Sequence, residues 1–249
     1  MKTLPLDILL DIIELLAGCR DIESLRTLSQ ACKSMVPLCR KHLFSTLFLR
    51  CNSNSVRFND LLSKNPDIAH YVRSLDYGIY NIPSSGHELN ILDMLKKCSS
   101  LRSIVLSSLR DLTWNNLTES TRSSILSLIQ LPTVTSLSIY SFNGFPATAL
   151  SGCGNLINLN LGVLNLVPPE VSQAISRSKI PAPLSLYIET RTYGLAALLN
   201  SANLQGGPIV DFSRLQKAEF YVESRDDIDQ VNELIKVKTR LEYIRIIGE

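Results

Sequence analysis

The stretches CSSLRSIVL (98–106) and CGNLINLNL (153–161) carry nearly the same pattern. Both fit C-x-x-L-x-x-L-x-L, with Ile standing in for Leu. Their closing residues alternate apolar and polar, the period of a strand with one buried face. The motif apolar-x-x-apolar-x-apolar recurs at Phe44/Leu47/Leu49, Val72/Leu75/Tyr77, Leu101/Ile104/Leu106, Val134/Leu137/Ile139, Leu156/Leu159/Leu161, Leu215/Ala218/Phe220 and Leu241/Ile244/Ile246. An eighth copy, Pro183/Leu186/Ile188, fits at its last two positions. The middle residues fall at 47, 75, 104, 137, 159, 186, 218 and 244, in steps of 28, 29, 33, 22, 27, 32 and 26.

Between these expected strands, Val56–Lys64, Glu88–Lys97, Leu117–Leu128, Pro169–Arg177, Leu195–Asn203 and Asp226–Val237 read as helices. Strand–helix–strand units with a step averaging about 28 residues make the strands parallel and stack the units in a curve. The pattern resembles leucine-rich repeats, near the upper end of their period, over roughly residues 44–249. That resemblance implies an α/β leucine-rich-repeat solenoid. It is degenerate: where the family has Asn or Cys soon after each strand, this chain has Tyr80, Leu109, Phe142 and Leu164, so irregular loops are expected. Cys98 and Cys153 read as small buried fillers at the helix-to-strand turn. The sequence stops at Glu249 directly after the last expected strand, so an open sheet edge is expected there.

The first 45 residues follow a helical period instead. In LPLDILLDIIELL (4–16), nine of thirteen residues are large aliphatics, and Asp7, Asp11 and Glu14 fall on one stripe. Pro5 and Asp7 suit the first turn, Gly18 reads as the stop and Asp21 as the cap of a second helix. That helix carries Ile22, Leu25, Leu28 and Cys32, and a third runs from about Met35 to Phe44. A first helix so apolar needs cover on more than one side. The order LPLDILLDIIELL, DIESLRTLSQACKSM (21–35), PLCRKHLF (37–44) resembles the F-box, the small helical module of SCF-type ubiquitin ligases. The Leu-Pro opening, the acid two residues on, and Leu25-Arg26-x-Leu28-(x)₃-Cys32-Lys33 carry the match; the family often has Trp just after the Cys-(Arg/Lys) pair, where this chain has Ser34-Met35.

Composition narrows the function. Net charge is +2 with no basic run beyond Arg40-Lys41 and Lys96-Lys97, which gives no footprint for nucleic acid or an anionic membrane. No apolar stretch is long enough for a bilayer, and the opening segment lacks the basic lead-in and cleavage site of a signal peptide. The expected location is therefore cytoplasmic or nuclear, with the six cysteines free. His42, His70 and His87 have no acid or Cys at metal-ligand spacing, and Walker and G-x-S-x-G motifs are absent, so no catalytic group, metal or cofactor is expected.

The resemblances imply a small all-α F-box bundle (1–45) binding a Skp-family adaptor and through it a cullin, followed by a repeat domain (46–249) holding a protein target. The adaptor surface is expected at Leu4, Pro5, Ile8, Ile12, Leu25, Leu28 and Cys32. The target surface is expected at Tyr187, Glu219, Tyr221, Tyr243 and Arg245, with the three tyrosines in one row, because Tyr and Arg most often carry interface energy. The alternative is a repeat scaffold or receptor outside any ligase, with residues 1–45 as a cap; a cap leaves no large apolar patch exposed.

Overall fold

The computed structural model describes residues 5–50, 52–79, 86–168, 180–189, 198, 208–236 and 240–248. The chain is α/β with a mostly parallel sheet. Eight strands, β1 (Thr46–Leu49), β2 (Ser74–Ile79), β3 (Ser103–Thr113), β4 (Ser136–Asn143), β5 (Asn158–Gly162), β6 (Ser185–Ile188), β7 (Lys217–Val222) and β8 (Tyr243–Gly248), line up in chain order, each parallel to the next. The register runs Leu47↔Leu75↔Ile104↔Leu137↔Leu159↔Leu186↔Ala218↔Ile244. Every step of the sequence motif is thus one step across the sheet, the partial copy at 183–188 included.

Helices α4 (Asn52–Lys64), α5 (Gly86–Lys96), α6 (Glu119–Ile129) and α7 (Arg225–Lys236) lie between strands, close to the expected spans. The expected helix at 169–177 and most of that at 195–203 lie outside the described residues; Leu198 is helical and buried. In the shortest step, between β4 and β5, the connection is a 3₁₀ turn, Ala147–Gly152. The helices cover one face of the sheet, where Leu62, Ile91, Leu92, Leu95, Leu128 and Leu234 join the buried strand residues in one core. Cys98 and Cys153 are buried in it, their thiols donating to the carbonyls of Met94 (3.4 Å) and Ala149 (3.7 Å). Tyr77 occupies a core position of β2, and its hydroxyl donates to Glu88 Oε2 on α5 (3.1 Å), whose other oxygen accepts from Ser55 on α4 (3.2 Å). One carboxylate therefore ties two helices to the sheet.

The expected irregular loops have a specific form. Ser141 (φ 60°) and Val163 (φ 49°), each one residue past the Tyr140↔Gly162 pair, adopt left-handed backbone, a strained choice for β-branched Val. The residues that follow, Phe142 and Leu164, are buried in the core. Trp114 packs edge-on against Phe142 and Phe145 at this end, and the two phenylalanine rings are tilted to each other, with centroids 4.8 to 6.2 Å apart.

The N-terminal helices α1 (Leu6–Gly18), α2 (Ile22–Ala31) and α3 (Met35–Leu43) have a core cluster of their own: Ile13, Leu25, Met35 and Cys39, with Leu9, Leu16, Leu28 and Leu38 around them. Asp21 caps α2 as expected, accepting from the Ser24 N–H (3.0 Å). The stop of α1 differs from expectation. The left-handed residue is Arg20 (φ 56°), not Gly18; its N–H reaches Ala17 O (3.0 Å) and that of Asp21 reaches Leu16 O (2.9 Å). This is a Schellman closure with a side chain where glycine is usual.

Candidate functional site

Two faces are candidates, one on α1 and one on the sheet. On α1, Leu9, Ile13 and Leu16 turn inward, and Glu14 turns to α3, where Lys41 donates to it (2.6 Å) and His42 lies 3.5 Å away. The Lys41 bond holds the Glu14 carboxyl below its ordinary range, while burial keeps the His42 ring below the usual imidazole value. What faces solvent is Ile8 (43% exposed), Ile12 (38%) and Leu15 (67%), at i, i+4 and i+7 on one stripe, flanked by exposed Leu6 and Ile22.

The residues expected to bind an adaptor divide accordingly. Pro5, Ile8, Ile12 and Cys32 are exposed; Leu4 lies outside the described residues. Leu25 is a correction: it is fully buried and forms the centre of the three-helix core. Leu28 packs against the same core and is only half exposed. Periodicity alone showed that α2 has an apolar face but not which neighbour it serves. Leu6, Leu15 and Ile22 belong to the exposed patch and were missed, although the four- and three-residue spacing of Ile8, Ile12 and Leu15 is visible in the sequence.

The sheet face away from the helices carries three rungs. The middle one runs Phe48, Asp76, Val105, Ser138, Asn160, Tyr187, Glu219, Arg245. At its start Arg50 donates to Asp76 (Nε to Oδ1, 3.1 Å), and at its centre Asn160 donates to Ser138 (2.9 Å). Towards β8 the rung becomes aromatic and charged. Tyr187, Glu219 and Arg245 do share it, but the three tyrosines do not form one row. Tyr243 pairs with Lys217, one rung earlier, and Tyr221 pairs with Ile247, one rung later. All three lie on the same face, because side chains two apart on a strand do so, but on different rungs.

Tyr187 and Tyr221 nevertheless meet. They are diagonal across β6 and β7, within aromatic reach, and their rings stand edge-to-face at 5.9 Å. Burial first, then the charges of Glu189 and the neighbouring tyrosines, push the Tyr187 hydroxyl above its ordinary value. The pair lines a cavity of about 370 Å³ with Glu189, Glu223, Ile247 and Gly248. Gly162 makes room beside it: a Cβ there would collide with the Glu189 carboxylate and the Tyr140 ring. Glu223, Ile247 and Gly162 were not expected site residues; only Gly162 left a signal, because it aligns with Tyr140 one step earlier in the repeat. Tyr243 stands 44% exposed on β8, outside this cavity.

Among the described residues no group of three or more His, Cys, Asp and Glu is placed to hold a metal, and no helix is long and apolar enough to cross a membrane. No protein-family model and no curated protein matches the chain.

Proposed function

We propose that the chain is the target-holding subunit of an SCF-type ubiquitin ligase. In this reading α1–α3 are an F-box bundle that binds a Skp-family adaptor and through it a cullin. The sheet with its helices is a degenerate leucine-rich-repeat solenoid whose uncovered face holds a protein target. The chain does no bond chemistry itself; it supplies proximity for a separate enzyme.

One observation carries the reading: α1 leaves Ile8, Ile12 and Leu15 in solvent on a unit that already has its own core. An apolar stripe of this kind on a short exposed helix marks a protein contact. A mere cap on the repeats would need no such stripe, which favours the ligase reading over a scaffold outside any ligase. The test is co-expression of the tagged chain with a Skp-family adaptor. A stoichiometric complex surviving gel filtration supports the proposal, and an adaptor that elutes entirely alone overturns it.

A further inference from the structure

Strand β8 pairs with β7 on one side and, among the described residues, with nothing on the other. The Tyr243 N–H bonds to the carbonyl of Gln216, beside β7. In a parallel ladder Tyr243, Arg245 and Ile247 therefore turn their backbone groups towards β7, and those of Ile244, Ile246 and Gly248 point out of the sheet edge. The Ile244 and Ile246 side chains lie on the helix side of the sheet, yet they stand 43% and 56% exposed. Sheet edges are usually blunted by proline, a bulge or an unpaired charge. Tyr243–Gly248 has no proline and pairs with β7 without a register shift, and its one charge, Arg245, stands in register with Glu219.

The strand is also complementary to itself. Two copies related by a two-fold axis bring their edges together antiparallel, and outward groups must then meet outward groups. An axis through Arg245 sets two guanidinium groups directly opposite each other, which is destabilising. An axis through Ile246 pairs Ile246 with itself and Ile244 with Gly248 twice, so every outward N–H and C=O of Ile244, Ile246 and Gly248 is used. Ile244 then faces a residue with no side chain, where two backbones can approach closely. On the other face the Arg245 stem lies opposite Ile247 and keeps its head in water. A second copy brings a strand already formed; a loose peptide would first lose conformational entropy.

We propose that the chain forms a two-fold dimer by antiparallel pairing of β8 with β8 of a second copy, centred on Ile246. The two eight-stranded sheets become one continuous sheet. The dimer goes beyond the ligase reading and does not rest on it.

The test is sedimentation of the full chain between about 1 and 100 μM. The mass should rise from one chain to two, with a Kd of about 10 μM or tighter. Ile246→Pro removes an outward N–H and leaves the ladder to β7 intact. Ile246→Lys sets two ammonium groups opposite each other. Each should raise the Kd at least tenfold, with Trp114 fluorescence still that of the folded sheet. Ile12→Glu, on the α1 stripe, should dimerise as wild type does. In amide exchange followed by NMR, the Ile244, Ile246 and Gly248 amides should slow as the concentration is raised. A monomer throughout the range, association beyond two chains, or a dimer undiminished in Ile246→Lys overturns the proposal. So does a dimer lost in Ile12→Glu, which would move the contact to α1.

Discussion

The Tyr77–Glu88 bond should be a measurable brace of the sheet. Tyr77 is 1% exposed and its hydroxyl has a carboxylate partner at 3.1 Å. Tyr77→Phe keeps the ring volume and leaves Glu88 held by Ser55, so no cavity opens and the loss is the hydrogen bond alone. Bonds to charged groups are worth about 1.5–3 kcal/mol, and Glu88 is half exposed, so the low end, about 1.5 kcal/mol, applies. Glu88→Ala leaves the Tyr77 hydroxyl buried without that acceptor, at about 1–3 kcal/mol. The double variant should cost less than the two singles together, with a coupling of about 1–1.5 kcal/mol. The chain has a single tryptophan, Trp114, buried in the sheet core and not in the three-helix unit, so its fluorescence in a urea titration reports this core selectively. In a thermal scan each kcal/mol should appear as about 2–4 °C for a unit of this size. Strictly additive costs, or a Tyr77→Phe variant as stable as wild type, would refute the brace.

Other outcomes follow from the same geometry. Iodoacetamide at pH 7.5 should label Cys19 and Cys32 well before Cys39, Cys98 and Cys153: the first two are exposed, the Ser34 bond lowers the Cys32 thiol, and burial pushes Cys153 up to about 12. Peptide mapping by mass spectrometry reads the order, and early loss of Cys153 would contradict the buried turn. Arg20→Gly should raise the stability of the three-helix unit by about 0.5–1 kcal/mol, because glycine adopts the left-handed closure of α1 without a Cβ penalty; a destabilised variant in circular dichroism would contradict it. Folded His42 holds its proton less tightly than the unfolded chain, so the unfolded state takes up more protons as pH falls below about 6.5. The stability of α1–α3 should be full above that pH and decline below it, with Glu14, whose folded value is also lowered, adding to the loss at lower pH. His42→Gln should flatten the first part of the decline, and an unchanged profile would assign the slope elsewhere.

The sheet was legible because two periods agree. Alternation marks each strand, and the spacing of Leu47, Leu75, Ile104 and their successors marks the register, so even the weak copy at Leu186 falls in place. The core face was legible for the same reason, down to Cys98 and Cys153. What pattern could not assign was sidedness within a small bundle. Leu25 and Ile8 both repeat at helical spacing, yet one is a core residue and the other faces solvent, because which neighbour an apolar stripe meets is set by the packing of three helices. The tyrosine site was half legible. Residue type pointed to Tyr187 and Tyr221, but rung position depends on where each strand starts, and this put Tyr243 apart from them. Glu223 sits past the end of β7, where no strand period reaches. At the last strand, Ile244 and Ile246 keep the core pattern but stand 43% and 56% exposed, because no described element covers them and none pairs with the outer edge of β8.

The central claim is that the apolar stripe of α1 is an adaptor surface. Calorimetric titration of a purified Skp-family adaptor into the chain and its variants tests it most directly. Wild type should bind with a Kd of about 1 μM or tighter. Ile12→Glu and Leu15→Glu should each weaken binding at least tenfold by placing an unpaired charge in the contact, while leaving the melting of α1–α3 unchanged because neither residue is in its core. Tyr221→Ala, on β7 and outside the three-helix unit, should bind the adaptor as wild type does. Adaptor affinity that is absent in wild type, or undiminished in the two stripe variants, would contradict the account.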